Sequence, residues 1–116
     1  MEKYTADANL LFAALHEPED INYDPKNSRY QFYLAQSYFD SQQWAKSEEA
    51  YIKRVELGGW EEEVFYSLYR IGVLSVIQEK PWWEIHAAFL AAWEFRPIRA
   101  EPLYELSRLY RSAGKP

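Results

Sequence analysis

Glu63-Val64-Phe65-Tyr66-Ser67-Leu68-Tyr69-Arg70 and Glu101-Pro102-Leu103-Tyr104-Glu105-Leu106-Ser107-Arg108 carry one pattern twice, 38 residues apart. An acid opens each stretch, followed by tyrosine, leucine and arginine at matching places. Apolar residues recur at helical spacing and strand-like alternation is absent. The segments between these stretches repeat at the same offset. Trp44 matches Trp82, Tyr51 matches Phe89, Val55 matches Trp93 and Leu57 matches Phe95. Further upstream, Leu34 matches Leu68 at an offset of 34. The difference of four residues falls between Leu68 and Trp82, and it equals about one turn of helix. A helix over 63–78 is therefore expected to be a turn longer than one over 29–40.

Six helices follow from the pattern and its punctuation. The first, about Tyr4 to His16, carries Ala8, Leu11, Phe12 and Leu15 and ends before Glu17-Pro18. A polar loop runs over 17–27. Ser28-Arg29-Tyr30-Gln31 fits a capping box opening a helix from about Arg29 to Asp40. Ser41-Gln42-Gln43 breaks the chain before a helix from about Trp44 to Leu57, closed by Gly58-Gly59. Glu61-Glu62-Glu63 favours the positive N-terminal end of the next helix, which runs to about Gln78. Pro81 sits where a first turn tolerates proline, opening a helix over about Trp82 to Phe95. The last helix spans about Glu101 to Ser112 and ends at Gly114. The fold class is all-α, built of antiparallel hairpins with short connections.

The 116 residues suit one small domain. Aromatics make up 18% of them, which suggests large side chains filling space between helices. A net charge of -5 argues against a generic nucleic-acid-binding surface, which needs a basic footprint. The absence of cysteine excludes disulfides, thiolate chemistry and iron–sulfur ligation. No apolar run approaches the roughly 18 residues that span a bilayer, and no apolar region follows Met1-Glu2-Lys3-Tyr4 as a signal peptide would require. The expectation is a cytoplasmic protein without membrane insertion.

A helical hairpin repeating every 34 residues has the period of the tetratricopeptide (TPR) repeat. Ala100-Glu101-Pro102-Leu103-Tyr104-Glu105-Leu106-Ser107-Arg108-Leu109-Tyr110, followed by Gly114, resembles its first helix. Leu34-Ala35 and Tyr38 repeat that core, while Phe89, Ala92 and Pro97 look like its second helix. Four positions depart from the pattern. Arg54 stands where TPRs usually have alanine, Gly59 replaces a proline, Gln42 replaces the turn glycine, and Tyr69 replaces a small residue. The resemblance implies a TPR-like right-handed superhelix of two and a half repeats. Residues 1–27 would form a lead-in helix and loop, 28–61 repeat one, 62–99 repeat two and 100–116 half of repeat three. A narrower resemblance rests on Tyr30 to Tyr38, Gly58 to Tyr66, and Trp93 to Tyr104. These strings are similar to the TPR-like region that follows the catalytic domain in a group of bacterial inverting glycosyltransferases.

Little in the sequence speaks for catalysis. His16 and His86 belong to different hairpins and lack ligand-spaced companions. Asp20 and Asp24 form no Asp-x-Asp motif, and Gly58-Gly59 lacks the lysine and hydroxyl residue of a P-loop. Neither an enzymatic activity nor a cofactor or metal is expected. Trp82, which copies Trp44, reads as core; Trp83 aligns with Ala45 and reads as exposed.

The TPR resemblance places first helices on a concave surface, where equivalent residues stack into columns. Phe32, Tyr66 and Tyr104 form one column; Gln36, Arg70 and Arg108 the next; Arg29, Glu63 and Glu101 a third. Aromatic and arginine side chains are the types enriched at binding hot spots. These nine residues are the candidate surface for a protein or peptide. A competing reading pairs Arg70 and Arg108 with Glu63, Glu101 or Glu105 as solvated charges. The expected function is a protein-interaction or scaffold module. One alternative is an accessory region that positions or oligomerises a glycosyltransferase domain of the same polypeptide. Another is self-association into a homodimer through the uncapped C-terminal hairpin, with Leu103, Leu106, Leu109 and Tyr110 on the face concerned.

Overall fold

A computed structural model describes residues 2–113. Six helices follow one another: α1 (Glu2–His16), α2 (Ser28–Asp40), α3 (Trp44–Leu57), α4 (Glu61–Ile77), α5 (Trp82–Phe95) and α6 (Glu101–Ser112). No strand occurs among the described residues. The helix-ending role expected of Gly114 lies outside them. With 17 residues against 13, α4 exceeds α2 by the expected turn. Each helix packs chiefly on its neighbours in the chain. The outcome is elongated, 54 × 29 × 19 Å, with a radius of gyration of 15.3 Å. A compact chain of this length would have a radius of about 13 Å. Packing that propagates from neighbour to neighbour is the habit of stacked helical hairpins.

Two apolar clusters hold the stack. Ala8 and Leu15 of α1, Leu34 and Ala35 of α2, Ala50 and Tyr51 of α3, and Leu74 of α4 share the first. Ile85 and Phe89 of α5 and Leu106 of α6 form the second. The small residues among them let backbones approach closely enough for side-chain-to-backbone bonds between helices. Ser47 Oγ donates to the Ala35 carbonyl at 2.9 Å, and Gln31 Nε2 donates to the Ala50 carbonyl at 3.0 Å. Gln31 is therefore spent on α3, and the expected capping box does not form. The cap is Asn27, whose side chain accepts from the Tyr30 amide at 3.0 Å, while Ser28 is already helical. An amide oxygen one residue earlier reaches the same orphan donors.

Both first-to-second helix connections use one device. Gln42 and Glu79 adopt the left-handed conformation, with φ of 61° and 55°. At the first turn, Gln43 N donates to Tyr38 O at 2.8 Å and Gln42 N to Phe39 O at 3.0 Å. Lys80 N to Ser75 O at 2.9 Å and Glu79 N to Val76 O at 3.0 Å repeat the pair. These are Schellman turns, with two bonds reaching back to the last carbonyls of the helix, built without the usual glycine. The left-handed conformation disfavours a residue with a Cβ by about 1 kcal/mol or more. Gln42→Gly and Glu79→Gly are each expected to raise stability by about 0.5–1 kcal/mol, read as the midpoint of urea unfolding. The glycine's freedom in the unfolded chain takes back part of the gain. At the end of α3, by contrast, Gly58 and Gly59 are in place with φ of 67° and 92°.

Tyr51 carries one of two buried hydroxyls without a partner, the other being Ser67, among the described residues. Its ring is fully buried against Phe32, yet its hydroxyl has no hydrogen-bond partner, and burial holds its pKa well above the ordinary tyrosine value. A buried unpaired hydroxyl costs about 1–3 kcal/mol. Tyr51→Phe should therefore be neutral or stabilising, by up to about 1 kcal/mol in thermal or urea unfolding; a loss above about 1 kcal/mol would reveal a partner for the hydroxyl.

Candidate functional site

The nine candidate residues divide sharply. Phe32 is core, edge-on to Tyr51 and to Tyr66 at 6.1 and 5.7 Å. Glu63 is also buried, with Oε1 accepting from Arg54 Nε at 3.0 Å and Oε2 lying 3.6 Å from Arg29 Nε. Arg54 is only 1% exposed and also donates to the Gly58 carbonyl. One side chain thus closes the end of α3 and fastens it to the start of α4. Sequence reasoning placed Glu63 on an open groove, because periodicity says nothing about a charged partner inside.

The Arg70 guanidinium stands over the Phe39 ring, 3.8 Å from its centre, and donates to the Tyr66 hydroxyl from Nε and Nη2 at 2.8 and 2.6 Å. It is packed between aromatic groups and makes no carboxylate pair among those expected. Arg108 does what the competing reading foresaw, bonding Glu105 at 2.8 Å, which raises its pKa further. Tyr104, 61% exposed, does not extend the Phe32–Tyr66 contact. Trp83 is exposed, at 71%, while Trp82 stacks on Tyr110 with ring centres 5.2 Å apart. On α6, Leu106 is buried against α5 and Leu109 and Tyr110 are half-buried beside it; Leu103 stays at the surface.

What the structure gathers is a depression of about 430 Å³ between α2, the start of α4 and the α5–α6 corner. Arg29, Phe32, Gln36, Glu63 and Tyr66 of the candidate set line it. Tyr33, Trp60 and Arg99 line it too, and the repeat pattern did not mark them. Trp60 is 57% exposed, with the Arg29 guanidinium 5.3 Å from its ring centre. Its position directly after two glycines and before three acids was the only available signal. Tyr33, on the same helix as the buried Phe32, is exposed.

The corner is tied by charges. Arg96 Nη1 lies 3.0 Å from Glu62, Arg99 bridges Glu62 and Glu101 at 3.2 Å each, and the Arg99 guanidinium stands 4.7 Å from the centre of the Phe65 ring. Glu101 is held below its ordinary pKa first by the hydrogen bond from Arg99. A depressed carboxylate stabilises the fold above its unfolded pKa, near 4.5, and loses that contribution as pH falls through its lower native value. The pair is exposed to solvent, which screens it, so the effect is small. Arg99→Ala should show that deficit at neutral pH in urea titrations and converge on the parent protein in acid.

Among the described residues no group of three or more histidine or acidic side chains is placed to hold a metal ion. None of the described helices is long and apolar enough to cross a membrane. The depression presents aromatic faces beside amide and guanidinium donors. The class defined is an elongated all-α stack of helices with an aromatic–arginine face. No family model matches the chain, and neither curated proteins nor solved structures give a significant match.

Proposed function

We propose that this chain is a TPR-like stack of two and a half helical hairpins that acts as a non-catalytic protein-interaction module. A peptide or protein segment would bind across α2 and α4, the surface that the resemblance makes concave. The observation that carries the reading is the Trp60–Arg29–Tyr33 face over a formed depression, with large aromatic area left in water. Tryptophan, tyrosine and arginine are the residue types enriched among the few that dominate binding energy at interfaces. The TPR-like arrangement is supported by neighbour-to-neighbour packing, the matched Schellman turns and the extra turn of α4. The departures from the TPR pattern also have partners: Arg54 binds Glu63, Gln42 takes the left-handed turn, and the Tyr69 ring packs on Phe89 at 5.8 Å.

Selection from a displayed random-peptide library tests the proposal. Peptides enriched on the parent protein should lose at least about tenfold in affinity to Trp60→Ala, with the far-ultraviolet dichroism unchanged. Enriched peptides that bind the variant equally well, or no enrichment at all, would overturn it.

A further inference from the structure

The depression beside Trp60 has a twin. A second hollow, about 440 Å³, lies between α1 and α2, lined by Tyr4, Leu10, Asp7 and Asp40 among others. Tyr33 and Gln36 line both hollows, so that part of α2 forms a shared wall with Tyr33, 41% exposed, on its crest. Two hollows astride an aromatic ridge restrict what can lie across them. A docked helix needs an uninterrupted apolar trough, and the ridge interrupts it. An added strand needs a sheet edge, and the described residues contain no strand. A polyproline II segment suits the shape, since its three-residue turn, about 9 Å long, sets ring pairs on either side of an aromatic crest. Its carbonyls have no internal partners, and Gln36, which lines both hollows, and Trp60, which lines the first, carry N–H donors.

Charge then sets the direction. At the Trp60 end, Arg29 and Arg99 are matched by Glu63 and Glu62. At the other end stand Asp7 and Asp40. Lys3 reaches Asp7 at 3.3 Å, in an exposed pair that competes only weakly with a ligand. We infer that this face binds a proline-rich extended segment, with a basic residue seated against Asp7 and Asp40 and prolines astride Tyr33. The inference rests on the peptide-binding reading above and names the chemistry of the peptide.

Three labelled peptides decide it by fluorescence anisotropy: decaproline ending in two arginines, decaproline ending in two glutamates, and a glycine–serine decamer ending in two arginines. The first should bind about tenfold tighter than either of the others. Tyr33→Ala should weaken it by about tenfold, and Asp7→Asn with Asp40→Asn should abolish the preference for arginine over glutamate. All three positions face solvent or a hollow, and circular dichroism checks that the variants stay folded. Equal binding of the two arginine peptides would reduce the effect to charge and overturn the inference, as would equal binding of the two proline peptides. The library selection separates the two failures. Ligands that require Trp60 but lack proline sink this inference and leave the interaction module standing; no ligands at all sink both.

Discussion

Arg54→Ala should lower the stability of the chain by about 3–5 kcal/mol. The guanidinium is almost wholly enclosed, and its Nε–Glu63 contact is 3.0 Å. Removing it leaves the Glu63 carboxylate inside the α3–α4 junction with only Arg29 at 3.6 Å on its outer side. It also frees the Gly58 carbonyl that Arg54 satisfies. A chain of this size has a total stability of about 5–15 kcal/mol, so much of it would go. Arg54→Met combined with Glu63→Leu should recover most of the loss, because apolar pairs of similar volume often replace buried ion pairs at little cost. The measurement is a double-mutant cycle in urea. Additive losses would mean that the two charges do not stabilise one another.

Gly72→Ala should also destabilise, by about 1–3 kcal/mol, although alanine is the better helix former by about 1 kcal/mol. A Cβ on Gly72 would stand 2.7 Å from two carbons of the Phe89 ring and 2.9 Å from a third. That ring cannot retreat easily: it is buried, edge-on to Tyr69, and clustered with Ile85 and Leu106. The steric term therefore outweighs the propensity term. Phe89→Leu alone should cost about 1 kcal/mol, and combining it with Gly72→Ala should be less damaging than the sum. A gain in stability from Gly72→Ala alone would show that α4 and α5 have room to part.

Glycine at 72 and tyrosine at 69 are two halves of one adjustment. A tyrosine stands where a small residue would let α4 and α5 approach, and one turn of helix away a glycine gives the room back. Periodicity could flag Tyr69 as unusual, but only the packed pair explains it. The same holds for Arg54. In the one-dimensional pattern it occupies a core position, which reads as an irregularity; in three dimensions it is the partner of Glu63. Glu63, counted among the groove charges from its column, is consumed by that pairing. Trp60 shows the opposite error, since it belongs to no helical column and was passed over, yet it is the most exposed aromatic of the depression.

The sequence by itself determined the six helices, their order and most of their ends. Those depend on local physics: helical spacing of apolar residues, prolines that forbid the preceding turn, glycines that accept positive φ, and acids at helix starts. It also determined the repeat, and with it the extra turn of α4, since equivalent residues at fixed offsets imply equivalent elements. Tertiary structure decided what each polar or aromatic side chain does. Asn27 rather than Ser28 caps α2, and the Gln31 amide donates across to the Ala50 carbonyl of α3. Arg70 settles on Phe39 and Tyr66 instead of a carboxylate because the nearest faces offered to it are aromatic. A long side chain can choose among partners from several elements, and the distances that settle the choice exist only once the helices are packed.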